Sequence, residues 1–195
     1  MVEASQAKRI LRERLRAERR RVSAQDRADA SMRTAAACQQ MLEAIGAQAL
    51  ASYAATVEEL DVTALHQWRW QSGAVVLLPR VVSGGQLAWH AVRGPEQLQR
   101  GAYGISEPDP ARCPEHDLPE RTLILVPGIG FCRDGRRLGQ GGGFYDRLLA
   151  TVRHCTAIGV GFSCQLVDDL PCEAHDRRLD GLIIAGELIR DPRLT

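Results

Sequence analysis

Short apolar segments alternate with helix-like stretches from residue 47 onward, and this alternation constrains the fold more than any other feature. The segments are bounded by Gly, Pro or Asp, as buried strands usually are. The predicted strands cover residues 47–55, 74–78, 87–92, 122–126, 155–161 and 182–185, and helical periodicity covers residues 62–71 and 145–152. Strands joined through helices usually pair in parallel and need cover on both faces. The chain therefore predicts an α/β fold of three layers, with a mainly parallel sheet and helices on both faces.

Local signals set the bounds of several of these segments. Pro79 has no backbone N–H, so the second strand is expected to stop there. The turn Ser83-Gly84-Gly85 precedes the third strand. Residues 101–120 are rich in Pro and charge and predict a long ordered loop.

The N-terminal part of the chain predicts two helices. Residues 5–22 have an apolar side, formed by Ala7, Ile10, Leu11, Leu15 and Val22. Ser23 begins a segment that resembles a capping box, and Gly46 is a suitable stop for the helix that follows. The apolar positions of this second helix include Met32, Ala36, Met41, Leu42 and Ile45. A chain of 195 residues with 45% apolar content fits a single domain, 1–195, in which residues 1–46 pack on the α/β core.

The overall composition excludes several classes of protein. A net charge of +1 argues against a protein that binds nucleic acid through a strong overall positive charge. No apolar run approaches the roughly 20 residues that span a bilayer, so no membrane partner is expected. The start of the chain is charged rather than apolar, unlike a signal peptide. The six cysteines form no Cys-x-x-Cys pair. Buried free thiols in the cytoplasm are therefore the expected state.

The run from Arg136 to Asp146 has the most specific chemistry. Four of the five positions 139–143 are glycine, and helical periodicity begins directly afterwards. Backbone amides in such a loop can surround an anion, and a helix N-terminus carries partial positive charge. The run lacks the Lys of a P-loop and the third Gly of a dinucleotide fingerprint. It predicts a nucleotide-polyphosphate site with a metal; the alternative is a flexible surface turn.

Charged residues elsewhere are compatible with this site but are less specific. Lys8 and Arg12 share a helix face and could hold phosphate oxygens, although a solvated basic helix or an RNA-binding helix has the same pattern. Glu58, Glu59 and Asp61 follow a predicted strand and could bind an organic ligand or simply begin a helix. Glu107 lies in the long loop beside Pro108, where a loop clamp without a ligand is the other interpretation.

Acidic residues near the C-terminal end are candidates for a metal site. Asp146 and either Asp176 or Asp180 could approach Mg²⁺, which prefers a few carboxylates together with phosphate oxygens and water. His175 and Asp176 could also form a catalytic dyad, but the chain has no Gly-x-Ser-x-Gly elbow.

These segments together resemble the 5-formyltetrahydrofolate cyclo-ligase family. The resemblance rests first on Val-Pro-Gly-Ile-Gly-Phe at residues 126–131 and on the glycine run, which ends in Gly-Gly-Gly-Phe-Tyr-Asp. It extends over nearly the whole chain. Further matching segments are Lys8-x-x-x-Arg12, Glu59-Leu60-Asp61, Gly104-Ile105-x-Glu107-Pro108, Ile158-Gly159, Gln165, Pro171 and His175-Asp176. Two positions depart from the family pattern: Val62 stands where a Thr is usual, and Phe144 where a Tyr is usual.

The resemblance implies an activity and a fold. The reaction converts 5-formyltetrahydrofolate and ATP, with Mg²⁺, to 5,10-methenyltetrahydrofolate, ADP and phosphate through a phosphorylated formyl group. The implied fold is of the NagB/RpiA/CoA transferase-like type, and the implied partners are a reduced folate and ATP. We expect a cytoplasmic monomer. A folate- or nucleotide-binding regulator without catalysis, and an RNA-associated protein, remain as alternatives.

The resemblance also implies roles for particular residues. Catalytic roles fall to Arg137 and Tyr145. The implied ATP site contains Lys8, Arg9, Ile10, Leu11, Arg12, Arg137, Leu138, Gly139, Gln140, Gly141, Gly142, Gly143, Phe144 and Tyr145. The implied folate site contains Tyr53, Ala54, Glu59, Glu107, Gln140, Gly141, Gly142, Gly143 and Phe144. Asp146 and Asp176 are the implied metal ligands, with Asp180 as the alternative to Asp176.

Overall fold

Four helices and twelve strands make up the computed structural model, which describes residues 2–82, 86–101, 104–152, 154–171 and 177–190. The helices are α1 (Val2–Arg20), α2 (Ala24–Ala44), α3 (Thr63–Gln71) and α4 (Phe144–Thr151). Short 3-10 turns occupy Pro95–Gln97 and Ser163–Gln165.

The strands form one large sheet and two small ones. In chain order they are β1 (Ala49–Ala51), β2 (Val76–Val82), β3 (Gln86–Val92), β4 (Leu98–Arg100), β5 (Ser106–Pro108), β6 (Thr122–Pro127), β7 (Gly130–Cys132), β8 (Arg137–Leu138), β9 (Thr156–Gly161), β10 (Leu166–Val167), β11 (Gly181–Ile184) and β12 (Glu187–Arg190). The large sheet has the order β12-β11-β9-β6-β1-β2-β3. Its five inner strands are parallel, and each edge strand is antiparallel to its neighbour.

Helices cover both faces of the large sheet, as the sequence predicts. In β6, Leu123 and Leu125 face a core that includes Cys38 of α2 and Leu65 of α3. Ile124, from the same strand, faces the opposite core, which includes Leu149 of α4. This alternation follows from the two-residue period of a strand and gives a three-layer α/β arrangement.

The N-terminal helices pack differently from the predicted pattern. Ser23 caps α2 by accepting a hydrogen bond from the Asp26 N–H at 3.1 Å, and Gly46 follows with a φ of 58°, so both predicted signals are confirmed. The apolar sides, however, are partly wrong. Ala7, Ile10, Met32 and Ala36 are exposed. The buried side of α1 keeps the predicted Leu15 and also includes Lys8 and Arg19, because this helix packs on the small sheet that contains β7 and β8 and on loops, not on the large sheet.

Strand β2 continues through Pro79 to Val82, so the expected stop at Pro79 is wrong. Beyond Leu77, β2 no longer pairs with β1 and keeps only its partner β3, with Pro79 opposite Trp89. A proline is tolerated where one side of a strand has no partner, because its missing N–H is not needed there. The turn expected at residues 83–85 lies outside the described residues.

Several short elements were not predicted. Strand β12 pairs with β11 to close one edge of the sheet. The loop expected at residues 101–120 contains β5, which pairs with β4. Strands β7, β8 and β10 form a small sheet beside the carboxyl end of β6. Strands of two or three residues have too few side chains to produce a readable period.

Free thiols, as expected from the sequence, and buried histidines lie outside the site. No helix within the described ranges is both long and apolar enough to cross a membrane. Cys38, Cys113 and Cys132 are buried free thiols, and burial raises the pKa of each. His66 and His90 are buried and hydrogen-bonded inside the fold.

Candidate active site

A cavity of about 450 Å³ opens beyond the carboxyl ends of β1 and β6. After β1 the chain continues on one side of the sheet through β2 and β3, whereas β6, β9 and β11 lie on the other side. The cavity therefore occupies the point where strand order reverses, which is the usual ligand position in a doubly wound sheet. Tyr53 and Ala54 follow β1, and Pro127 and Gly128 end β6, and all four line the cavity.

The glycine run forms one wall and leads directly into α4. Gly141 and Gly143 have φ values of 109° and 65°, which only glycine adopts readily. Gly143 is the N-cap of α4 and offers no side-chain oxygen to the first amides of the helix. Those amides can therefore bind an anion from the cavity side. Gly139, Gln140, Gly142, Gly143 and Phe144 line the cavity, as the sequence predicts for a ligand loop.

Helix α1 packs against this loop and holds it through arginines. Arg12 donates from Nε to the Gly139 carbonyl oxygen at 2.9 Å, and Arg16 donates to Gln140 Oε1 at 2.7 Å. Lys8, on the same side of the helix, is only 8% exposed. The shared face expected for Lys8 and Arg12 is therefore turned toward the glycine loop. Arg16 was not singled out from the sequence, since several arginines of the helix look equivalent there.

Arg137 and Asp146 form an ion pair inside the cavity wall. Arg137 Nη2 lies 2.6 Å from Asp146 Oδ1, and the Arg137 side chain is 4% exposed. The same guanidinium donates to the Pro127 carbonyl oxygen at 3.3 Å and lies over the Tyr145 ring at 5.7 Å. The sequence suggested separate phosphate and metal roles for these residues; the structure places them in direct contact.

Two tyrosines beside this pair are held in their neutral form. Burial raises the pKa of Tyr145, and the nearby Glu59 carboxylate raises it further, although Arg137 opposes the shift. Burial also raises the pKa of Tyr53 well above its ordinary value. Tyr53 donates its hydroxyl hydrogen to the Leu60 carbonyl oxygen at 2.7 Å. Both rings are therefore neutral at pH 7 and can line the cavity or donate hydrogen bonds.

Two carboxylates from other segments of the chain, Glu59 and Glu107, also line the cavity. Glu59 Oε2 accepts a hydrogen bond from the Thr56 N–H at 3.0 Å, which fixes the short loop after β1. Glu107 is 6% exposed and lies 3.5 Å from Arg80 Nη1. Polar groups in a mostly apolar pocket orient an organic ligand, so this arrangement fits the predicted folate side.

An apolar part of the wall was not anticipated. Pro79, Val81, Leu87 and Ile105 line the cavity, and the first three belong to the β2–β3 hairpin. Because β2 continues past Pro79, the hairpin extends over the cavity and presents these side chains to it. This wall was missed in the sequence because Pro79 was taken as the end of β2.

Several predicted site residues lie away from the cavity lining. Arg9 pairs with Glu13 at 3.4 Å on the exposed side of α1, and Ile10 is 55% exposed. Leu11 and Leu138 pack in a small apolar cluster around Leu15, and support the site from behind. Gly141 faces the Arg12 guanidinium.

The two candidates for the second carboxylate have different outcomes. Asp176 lies outside the described residues. Asp180 is placed by β11 at the amino end of the sheet, where its Oδ2 accepts a hydrogen bond from the Ala157 N–H at 2.7 Å. The amino ends of the parallel strands lie at the opposite end of the sheet from the cavity, so Asp180 supports the start of β9.

The donor set of the cavity fits a magnesium ion that arrives with phosphate. Within the described ranges, no group of three or more His, Cys, Asp and Glu side chains could hold a metal by itself. Asp146 supplies one carboxylate on the cavity wall, next to the glycine loop. Mg²⁺ usually binds through one or two carboxylates plus substrate phosphates and water, so a single protein carboxylate suffices.

The geometry defines a class of protein before any comparison: an α/β protein whose cavity combines a glycine loop suited to an anion with an apolar lining suited to an organic ligand. The chain belongs to the 5-formyltetrahydrofolate cyclo-ligase family, whose model matches residues 4–185. The resemblance drawn from its motifs is therefore confirmed.

Individual relatives agree with this assignment. A 5-formyltetrahydrofolate cyclo-ligase from Mycolicibacterium smegmatis is 36% identical over 68% of this chain and 71% of its own length. The Escherichia coli K12 5-formyltetrahydrofolate cyclo-ligase is 32% identical over 67% of this chain and 74% of its own. The structure of 5,10-methenyltetrahydrofolate synthetase from Aquifex aeolicus superimposes with a TM-score of 0.78 at 29% identity, covering 95% of this chain and 93% of that one.

Proposed function

We propose that the cavity is where this enzyme uses ATP to convert 5-formyltetrahydrofolate into 5,10-methenyltetrahydrofolate, with release of ADP and phosphate. The observation that carries the proposal is that one cavity is lined by the glycine loop, by Arg137 and by the carboxylates of Glu59 and Glu107. A phosphoryl donor and a folate acceptor can therefore meet in a single space.

The chemistry requires the formyl oxygen to become a leaving group. The oxygen attacks the γ-phosphorus of ATP, the bond from that phosphorus to the ADP oxygen breaks, and the formyl group becomes phosphorylated on its oxygen while its carbon stays bonded to N5. The N10 nitrogen then attacks the activated carbon and loses its proton to solvent or phosphate, and the carbon–oxygen bond breaks as inorganic phosphate departs. Such transfer is catalysed mainly by positioning and by neutralisation of developing charge.

The cationic residues and the glycine amides supply this neutralisation. In our assignment, Lys8, Arg12 and Arg137 face the phosphates, and the amides of Gly139–Gly143 surround them. Arg137 is well suited because its guanidinium is already fixed by Asp146 and Pro127 and needs little reorganisation. Tyr145 stays neutral and packs beside the nucleotide.

The carboxylates divide between metal and folate. In our assignment Asp146 holds Mg²⁺, with Asp176 as a second ligand, and Mg²⁺ supplies neutralisation of phosphate charge when bound. Glu59 accepts hydrogen bonds from the amino and ring N–H groups of the pterin. Tyr53, Ala54, Glu107 and the 140–144 segment form the rest of the folate side.

A turnover measurement tests the proposal directly. Protein, Mg-ATP and 5-formyltetrahydrofolate are mixed, and the methenyl product is followed by its absorbance. We expect product formation that requires both ATP and Mg²⁺. A folded protein that binds both ligands without forming product would instead be a non-catalytic regulator, and salt-dependent RNA binding without turnover would favour the RNA-associated alternative.

A further inference from the structure

Helix α1 contacts two separate segments next to the cavity at different points along its length. Arg12 and Arg16 contact the glycine loop, as described above. About one turn after Arg16, the consecutive residues Arg19 and Arg20 contact Glu58, which precedes the cavity residue Glu59. A straight helix fixes the separation of groups along it. The helix therefore links the loop that faces phosphate with the loop that faces folate.

The contact between Arg19 and Glu58 is unusual in its burial. Arg19 Nη2 lies 3.0 Å from Glu58 Oε2, and the Arg19 side chain is 2% exposed. Arg20 approaches the other carboxylate oxygen, with Nε 2.7 Å from Oε1. Glu58 is therefore held at both oxygens by consecutive residues of one helix, which fixes the orientation of its carboxylate plane.

A third arginine contacts the backbone on both sides of the Arg19–Glu58 ion pair. Arg27 of α2 donates from Nη2 to the Arg19 carbonyl oxygen at 2.5 Å. Its Nη1 reaches the carbonyl oxygens of Val57 and Glu58, each at 3.4 Å. The backbone on either side of the ion pair is thus tied together as well.

Stability alone is a weak explanation for this arrangement. Within the described part of the chain, Nε and Nη1 of Arg19 are buried and have no hydrogen-bond partner. The desolvation of a buried ion pair commonly offsets its attraction, and unsatisfied donors add to that penalty. The main effect of the pair is positional.

The loop that Glu58 anchors is the one that carries cavity groups. Thr56 and Glu59 both line the cavity, and they are joined by two hydrogen bonds, Glu59 N–H to Thr56 O and Thr56 N–H to Glu59 Oε2, each at 3.0 Å. These two bonds close a short turn, and Glu58 lies within that turn. A shift of Glu58 would rotate the Glu59 carboxylate away from a ligand.

We propose that Arg19 and Glu58 are positioning residues for the folate side of the cavity, which they serve by fixing the loop that carries Thr56 and Glu59. This inference rests on the proposed function, because it gives Glu59 its ligand. The pair itself touches neither ligand. Its loss should therefore weaken folate binding and leave the ATP side unchanged.

The test combines steady-state kinetics with hydrogen exchange. For Glu58→Ala we expect the KM for 5-formyltetrahydrofolate to rise about tenfold, with kcat and the KM for ATP within about twofold, because a misplaced binding group has this scale of effect. We also expect faster amide exchange at residues 56–59 and unchanged exchange at residues 139–143. Glu18→Gln is the matched control, since Glu18 pairs with Arg14 on the exposed side of the same helix.

A second variant guards against misfolding. Glu58→Ala leaves Arg19 as a lone buried charge, so the double variant Arg19→Met with Glu58→Gln removes both charges and avoids the penalty of an unpaired one. It should show the same rise in the folate KM.

Two outcomes would overturn the inference. One is a folded variant with unchanged folate KM and unchanged exchange at residues 56–59. The other is an equal rise in both KM values, which would show that α1 is loosened as a whole. A wild-type protein without turnover would refute the proposed function instead, while the exchange data would still report on the loop.

Discussion

Asp146 is placed where two partners compete for one carboxylate. It pairs with Arg137 at 2.6 Å, and it also lines the cavity where a metal would sit beside phosphate. Because the pair holds the guanidinium in place before a ligand arrives, the residue can serve both the arginine and a cation that arrives with ATP.

Replacing Asp146 should therefore impair chemistry more than folding. For Asp146→Asn, which keeps the shape and a hydrogen-bond acceptor, we expect kcat to fall about 100-fold and the Mg²⁺ concentration at half-maximal rate to rise. Titration of Mg²⁺ in the turnover assay measures both. Asp169→Asn is the control, since this carboxylate also pairs with an arginine but is 83% exposed. Unchanged kinetics would remove Asp146 from the metal site.

Glu59 should act on one ligand only. For Glu59→Ala, we expect weaker binding of 5-formyltetrahydrofolate by about 10- to 150-fold, since a charge-assisted hydrogen bond is worth roughly 1.5–3 kcal/mol, with ATP affinity nearly unchanged. Separate KM values for the two substrates measure this. The exposed Glu43 at the end of α2 provides the control Glu43→Ala. A variant with impaired ATP binding and normal folate binding would reverse the proposed partition.

At the scale of elements, the start of α4 depends on an unusual backbone conformation. Gly143 has a φ of 65°, and a Cβ there would come within 2.8 Å of the flexible Arg147 side chain. For Gly143→Ala, we expect a loss of about 1–2 kcal/mol in the free energy of unfolding, because left-handed backbone is unfavourable for alanine. We also expect a higher KM for ATP, since the first amides of α4 would turn away from the phosphates.

A second glycine separates these two effects. Gly46 has a φ of 58°, a Cβ added there would meet no atom within 4 Å, and the residue lies at the end of α2, away from the cavity. Gly46→Ala should lose similar stability by urea unfolding and keep its KM for ATP. If the two variants had equal ATP kinetics, the α4 terminus would not be part of the phosphate site.

The β2–β3 hairpin shows why element bounds were harder to predict than element types. Local propensity favours an end at Pro79, because proline removes a donor from the ladder. Its actual surroundings, with no β1 partner beyond Leu77, make that donor unnecessary. Edge position is a property of the sheet and cannot be read from neighbouring residues. The apolar wall at Val81 and Leu87 was missed for the same reason.

At the scale of the whole molecule, a buried histidine makes stability depend on pH. His66 of α3 is buried with its Nε2 2.8 Å from Oγ of Ser52, the residue after β1, and burial lowers the pKa of His66 to about 4. The unfolded chain, with a pKa of about 6.5, binds the proton first as pH falls. The stability that neutral His66 contributes to the fold is therefore complete above pH 6.5 and is lost progressively from there toward pH 4.

This linkage predicts a specific pH profile. Between pH 7 and pH 5 the wild-type protein should lose about 2 kcal/mol in the free energy of unfolding through His66. His66→Gln should be less stable at pH 7, yet it should lack this part of the pH dependence. Urea unfolding at the two pH values measures the difference. The exposed His116 gives the control His116→Gln, and an unchanged slope in His66→Gln would contradict the assignment.

The sequence by itself determined the types of the main elements, the three-layer class and the family. These depend on local information: the periodicity of apolar residues, the Ser23 cap and the glycine run at residues 139–143. The Asp and Glu candidates were found in the same way, as residue types suited to a metal or to a polar organic ligand, whereas folate itself was implied only by the family resemblance.

Only the tertiary structure decided which of these groups meet. In the folded chain Arg137 pairs with Asp146, and Arg12 bonds the glycine loop. Asp180 lies at the amino ends of the strands, away from the cavity, and Arg19 pairs with Glu58. The physical reason is that such contacts join residues tens of positions apart, through strand order and helix packing. A charge on a helix looks the same in sequence whether it faces water or another loop; burial and partners, which distinguish the two, arise only when the chain is folded.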